Sequence, residues 1–210
     1  MISTAVKTKL EQLQAGDRVA YLGVRWKVKE ASTYADANGY ETAEWLLRSP
    51  DKQDHYLLRE VDPANPETIV HWYLAEEISN PKLFTPSSID NTVNYLLWER
   101  MQQLQPPYPE LRLFGDSYYL ESQTEGNYQG QAGASNRITW DYWDRWHQQN
   151  LAIEAWPSGE LHVYLSKVVN PKHFSGIEKG AGKNSGAFPW GEFIAASIFL
   201  ITGICLLIFG

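Results

Sequence analysis

The sequence predicts a mainly β fold: two related meander or barrel-like halves, one or two short helices, and a single C-terminal membrane-spanning helix. Three observations lead there. Nine tryptophans and twelve tyrosines in 210 residues give the chain an aromatic content that suits pleated sheets. Short runs with apolar residues at alternate positions recur along the chain, divided by stretches rich in Gly, Pro, Asn and Asp. Near the C-terminus, Phe193–Phe209 (FIAASIFLITGICLLIF) carries no charge at all.

Residues 1–14 predict a short helix, with Ala5, Leu10 and Leu13 apolar and Gly16 as its stop. Residues 15–174 form the β-rich domain, with halves at 15–85 and 110–174. Strands are expected at Arg18–Leu22, Arg25–Ser32, Tyr40–Arg48, Asp54–Val61 and Thr68–Glu77, separated by DANG (36–39), SPDKQD (49–54) and DPANPE (62–67). Such regular spacing suits a meander closing into a small barrel or sandwich. Ile89–Leu104 has helical periodicity, although Asn94–Arg100 also fits a strand. Leu111–Ser122 reads as strand, EGNYQGQAGASN (125–136) as a loop, and Ile138–His147, Leu151–Trp156 and Glu160–Val169 as a closing meander. Trp26, Trp45, Trp72 and Trp156 are expected in the core, and loops 36–39 and 125–136 on contact surfaces. Two faint internal echoes pair GDRVAYL (16–22) with GDSYYL (115–120), and 43–58 with 153–165.

Residues 175–188 predict a glycine-rich linker, and 189–210 an anchor. As a helix the uncharged run would span roughly 25 Å, close to the hydrocarbon thickness of a bilayer. Phe193, Ile194, Phe199, Leu200, Ile204, Leu206 and Leu207 would meet lipid, and Trp190 would sit at the headgroup level. Gly191 and Ala195 form a small-xxx-small pair that permits close helix approach, and hence a homo-oligomer. The N-terminus MISTAVKTKLEQLQ lacks the apolar core of an export signal. The expected topology is therefore single-pass and tail-anchored, with the N-terminal domain cytoplasmic. Lys179 and Lys183 beside the run agree with a positive inner side.

The formal charge of −7 lies wholly before Ser175, since the two lysines and two glutamates beyond it cancel. An acidic domain gains little from phosphate backbones, so nucleic acid is not an expected partner. The same charge predicts a domain standing off an anionic leaflet on its linker. The lone cysteine, Cys205, lies in the apolar run, which leaves the domain without disulfide or thiol chemistry.

No nucleotide-binding or nucleophile-elbow motif occurs. Asp141, Asp144 and His147 are spaced three apart, which would put them on one face of a helix as metal ligands; a solvated polar edge is the plainer reading. Trp140, Tyr142, Trp143 and Trp146 form the densest aromatic cluster. Exposed, they would stack on a sugar or peptide; buried, they would fill a core poor in leucine. The acidic pairs Glu76/Glu77 and Asp62/Glu67 lie at strand ends or turns, where exposed carboxylates are ordinary. No catalytic residue, cofactor or metal site is assigned, and the aromatic cluster is the candidate ligand or partner surface.

Several motifs in order carry a resemblance: L-x-x-G-D-x-V-x-Y-x-G-x-x-W-x-V (Leu13–Val28), E-W-L-L (44–47), Y-L-L-x-E (56–60), W-Y-L (72–74), F-G-D-S-Y-Y-L (114–120) and W-x-x-x-N-L-A-I-E-A-W-x-x-G-E (146–160). Together they are similar to an uncharacterised bacterial family, domain of unknown function 4178, from about Leu13 to Phe174. Members commonly carry a G-E pair after the tyrosine strand, where this chain reads G-Q-A-G (130–133). The resemblance implies a β-rich domain often found with membrane segments, near genes of membrane stress and polyamine metabolism, and supplies no catalytic residues. The expected function is a non-enzymatic domain that binds or scaffolds membrane-associated proteins at the bilayer. Two alternatives stand beside it: an accessory subunit of a membrane enzyme or transport complex, and a small-ligand or glycan receptor.

Overall fold

The computed structural model describes residues 4–35, 41–61, 64, 70–88, 90–103, 105, 107–130, 133–156 and 158–180. They divide into two compact units, one taking the chain up to Glu76 and again from Lys167, the other taking Glu77–Ser166.

In the first unit a short helix, α1 (Thr4–Glu11), precedes five consecutive strands: β1 (Arg18–Tyr21), β2 (Val24–Ala35), β3 (Glu41–Arg48), β4 (Asp54–Val61) and β5 (Val70–Glu77). Each strand is antiparallel to the next. Alternation puts Val19, Tyr21, Trp26, Val28, Trp45, Leu47, Leu57, Trp72 and Leu74 on one face, where Leu10 of α1 and the following Leu13 pack. Trp45 stacks on Trp72 with ring centroids 5.8 Å apart, and its indole N–H donates to the Leu13 carbonyl at 3.0 Å.

The second unit repeats this plan. Helix α2 (Asn94–Gln102) precedes β6 (Glu110–Leu113), β7 (Asp116–Gly130), β8 (Gly133–Trp143), β9 (Gln149–Ala155) and β10 (Leu161–Val168). Its core joins Leu97 of α2 to Leu111, Leu113, Tyr118, Trp140, Tyr142, Leu151 and Ile153.

The repetition extends to backbone detail. β1–β2 and β6–β7 are joined by two-residue turns, Leu22-Gly23 and Phe114-Gly115, with all four φ angles positive (46°, 85°, 56° and 95°). That is the signature of the type I′ hairpin, in which glycine is at ease and leucine or phenylalanine is not. Six residues after each glycine a bulge interrupts the ladder, at Lys29 and at Glu121. Beyond it Ala31 faces Trp45 and Gln123 faces Trp140. The β3–β4 and β8–β9 turns match as well: Ser49 Oγ accepts the Gln53 N–H at 3.0 Å, Asp144 Oδ1 accepts the Gln149 N–H at 2.9 Å, and Lys52 and His147 both have positive φ. The two echoes in the sequence pair the wrong segments. Gly115 corresponds to Gly23 rather than Gly16, and 43–58 corresponds to the β8–β9 hairpin rather than to 153–165.

Other expectations require correction. Neither series closes into a barrel; the sheet is open and antiparallel, in the orders β1-β2-β3-β4-β5 and β6-β7-β8-β9-β10. The reason lies at the outer edges. A fifth-residue continuation, β11 (Phe174–Glu178), pairs with β1, and Phe84 bridges Arg112 of β6 through hydrogen bonds of 3.1 and 2.8 Å. β1 is thereby paired on both sides, and β6 is met by one bridge on its outer side. β11 also means that the linker expected at 175–188 begins as sheet. The loop expected at 125–136 is a long hairpin, paired from Glu125↔Ile138 to Gly130↔Gly133, and Leu111–Ser122 is two strands divided by the Phe114-Gly115 turn. Loop 36–39 lies outside the described residues.

The membrane-spanning helix of the expected fold is not among the elements found. No helix among the described residues is long and apolar enough to cross a membrane, and 181–210, including Trp190, Phe193, Ile194, Phe199, Leu200, Ile204, Leu206 and Leu207, lies outside them.

Candidate functional site

The four clustered aromatics part company at the end of β8. Trp140 and Tyr142 point into the core of the second unit, and Trp143, on the opposite face of the strand, is buried too. Trp140 donates its indole N–H to Gln123 Oε1 at 2.9 Å, and the Tyr142 hydroxyl donates to the Tyr108 carbonyl at 2.8 Å. Burial drives the Tyr142 phenol far above its ordinary range; it pushes Tyr118, hydrogen-bonded to Gln149, up to about 12. Both are therefore structural phenols at any ordinary pH. Trp146 instead stands 75% exposed on the β8–β9 turn. A stacking platform made of all four rings is not formed.

What presents Trp146 is a braced turn. Asp144 Oδ1 accepts the N–H groups of Gln148 and Gln149 at 2.7 and 2.9 Å, and His147 Nε2 meets Glu121 Oε1 at 2.5 Å. Glu121 is the bulge residue of β7, so the bulge aims its carboxylate at the turn. The His147 ring also lies 5.7 Å from Trp143. At the same end of this unit the β6–β7 turn holds out Phe114, 71% exposed. Two large aromatic surfaces on rigid turns suit contact with another molecule.

The arrangement assembles no nucleophile. Ser122, next to Glu121, turns its hydroxyl to Asp141 Oδ2 at 3.2 Å, away from His147. Asp141, Asp144 and His147 also separate: Asp141 is buried on β8, Asp144 caps the turn, and His147 pairs with Glu121. Among the described residues no three His, Cys, Asp or Glu side chains cluster as a metal site. Glu76 meets His55 at 3.2 Å and Glu77 meets His162 at 2.9 Å, as separate contacts.

Two groups of residues escape sequence reasoning. The first is the pair of left-handed tips, Leu22 and Phe114, because an X-Gly turn normally announces itself with Asn or Asp before the glycine. The second is a set of buried carboxylates, Glu44, Glu60, Asp141 and Glu154, on the strand faces opposite the apolar cores. Their signal is present as alternation for three of them: Glu44, Asp141 and Glu154 each sit one residue away from a core position.

A helix-plus-five-strand meander, used twice, defines this as an antiparallel β protein of repeated plan, with Leu22, Phe114 and Trp146 exposed on turn tips. The chain belongs to the family described as Domain of unknown function (DUF4178), whose profile matches residues 14–171. No curated protein and no solved structure matches it. The matched stretch begins after α1 and stops before β11.

Proposed function

We propose that the protein is a non-enzymatic, single-pass membrane protein of a bacterial cell. Its cytoplasmic β domain binds or scaffolds other membrane-associated proteins at the bilayer. The observation that carries this reading is the uncharged run Phe193–Phe209, beside which Lys179 and Lys183 favour a cytoplasmic side for the domain. Residence in a membrane raises the effective concentration of any partner there without a new contact. The turn tips bearing Trp146 and Phe114 supply the contact surface.

Two measurements test it on the full chain. Alkaline extraction of membranes should leave the protein in the pellet, and Leu200→Arg with Ile204→Arg should release it, since each buried arginine costs about 2.5–3.5 kcal/mol. Release of the unaltered chain would sink the membrane reading. A photo-crosslinking residue at position 146 should yield a protein adduct in native membranes. Its absence would remove the partner reading.

A further inference from the structure

Among the exposed large apolar residues of the first unit, Leu22 and Val24 lie at the β1–β2 turn of its outer edge. Residues 18–29 and 171–178 supply that edge: β1, the start of β2, a 3-10 turn at Pro171–His173, and β11. They carry five cations, Arg18, Arg25, Lys27, Lys29 and Lys172, against one carboxylate, Glu178, in a chain of formal charge −7.

The register concentrates them. Arg18 faces Lys27, and Lys27 faces Arg48, like charges in directly opposed positions that cost stability in isolation. Asp54 answers Arg48 at 2.5 Å. Glu178 of β11 faces Arg18, and among the described residues no ion pair answers Arg25, Lys27 or Lys29. The nearby Glu76 is engaged by His55. At the tip, Leu22 is 66% exposed in a left-handed conformation, and its N–H donates to the His173 carbonyl at 3.3 Å. That bond ties it to the 3-10 turn bearing Lys172. Lys167 lies 5.6 Å over the ring of Tyr21.

An apolar tip among unanswered cations is the chemistry of an interfacial contact: the tip enters the acyl boundary while Lys and Arg meet anionic headgroups. We infer that this edge docks on the anionic surface of a bilayer. Leu22 and Val24 enter the interface, and Arg25, Lys27 and Lys172 hold acidic lipid headgroups. The inference rests on the membrane reading above and deepens it. The tether permits it. β11 ends at Glu178, Asp17 holds Gly180, and Leu22 lies five positions beyond Asp17, roughly 16 Å along an extended strand. The twelve residues 181–192 reach at most ~40 Å, enough to bring the tip to the bilayer that receives the apolar run. Net charge predicts a domain held off the leaflet; the distribution of charge predicts one that lies against it by a single edge.

The test uses the full chain with Cys205→Ser and Leu22→Cys, the new thiol carrying an environment-sensitive fluorophore. The protein is reconstituted in phosphatidylcholine vesicles with or without phosphatidylserine. Blue-shifted emission is expected only with phosphatidylserine. The docking equilibrium should weaken about fivefold for each of Arg25→Gln, Lys27→Gln and Lys172→Gln. A label at Phe114→Cys, whose turn is followed by Asp116, should stay aqueous in both. Aqueous emission from position 22 while the protein still floats with the vesicles overturns the docking edge and leaves the membrane reading standing. Equal blue shifts in both vesicles overturn the role of the cations. Failure to float at all removes both readings. A label shielded by an acidic polypeptide but not by phosphatidylserine assigns the edge to a protein and overturns the lipid assignment.

Discussion

The two units share a framework and differ at their tips. In both, a two-residue left-handed turn, a bulge six residues on, and a tryptophan facing the strand beyond it follow in the same order. Yet the first unit exposes Leu22 among lysines and arginines, whereas the second exposes Phe114 and Trp146 beside Asp116, Asp144 and the Glu121–His147 pair. Framework positions answer to packing, since interiors are close-packed and felt to a single methylene. The tip side chains are turned to solvent instead. A leucine and a phenylalanine held with positive φ and turned to solvent cost stability twice, through backbone strain and exposed apolar area. They recur at one position of a repeated plan.

The equivalence can be broken most forcefully at the cores. Trp45→Ala and Trp140→Ala should each cost about 3–5 kcal/mol, read as faster amide exchange in β3 and β8 respectively; losses differing by more than about 2 kcal/mol would show that the matched positions are not energetically matched. At the tips the sign reverses. Leu22→Asn and Phe114→Asn should each raise stability by about 1 kcal/mol in urea unfolding, because asparagine tolerates the left-handed region. A loss at either tip would mean that its side chain packs rather than projects.

The smallest effect separates the units by pH. His55 on β4 occupies the position that Leu151 holds on β9, each opposite the neighbouring strand's Leu47 or Tyr142. Burial lowers the His55 imidazole below its ordinary value, with Glu76 opposing and Lys167 assisting. The unfolded chain then takes up this proton first as pH falls. Its share of stability is complete above about 6.5 and is lost as pH drops from there through the folded value. His55→Leu should flatten that part of the stability profile, and an unchanged slope would remove His55 as its source.

Much of the β architecture was legible because alternation is local. Asp54–Val61 emerges with the bounds its pattern predicts, and β3 and β5 differ by one or two residues at their starts. What escaped depends on partners distant in sequence. β11 is short and holds Gly176, so only its pairing with β1 makes it a strand. The 125–136 hairpin reads as loop because its glycines and asparagines lack an apolar face. Closure was inferred from spacing, but spacing cannot show that β11 and Phe84 occupy the outer edges. The aromatic cluster illustrates the same limit. Trp140 and Trp143 sit on opposite faces of one strand, so alternation predicts one of them exposed; both are buried because both faces of β8 are covered there.

One feature of the outer edge sets how the chain bears load. β11 runs antiparallel to β1, and its far end is fastened at Asp17, which accepts Gly180 N–H at 2.9 Å and Lys179 Nζ at 2.9 Å. Gly180 lies so close to the Gly16 carbonyl that a Cβ there would stand 2.4 Å from its oxygen. A pull on residue 181 therefore reaches this fastening before it reaches the first ladder bond of β11. Tension must extract one carboxylate from two donors before it can peel a single residue of the sheet.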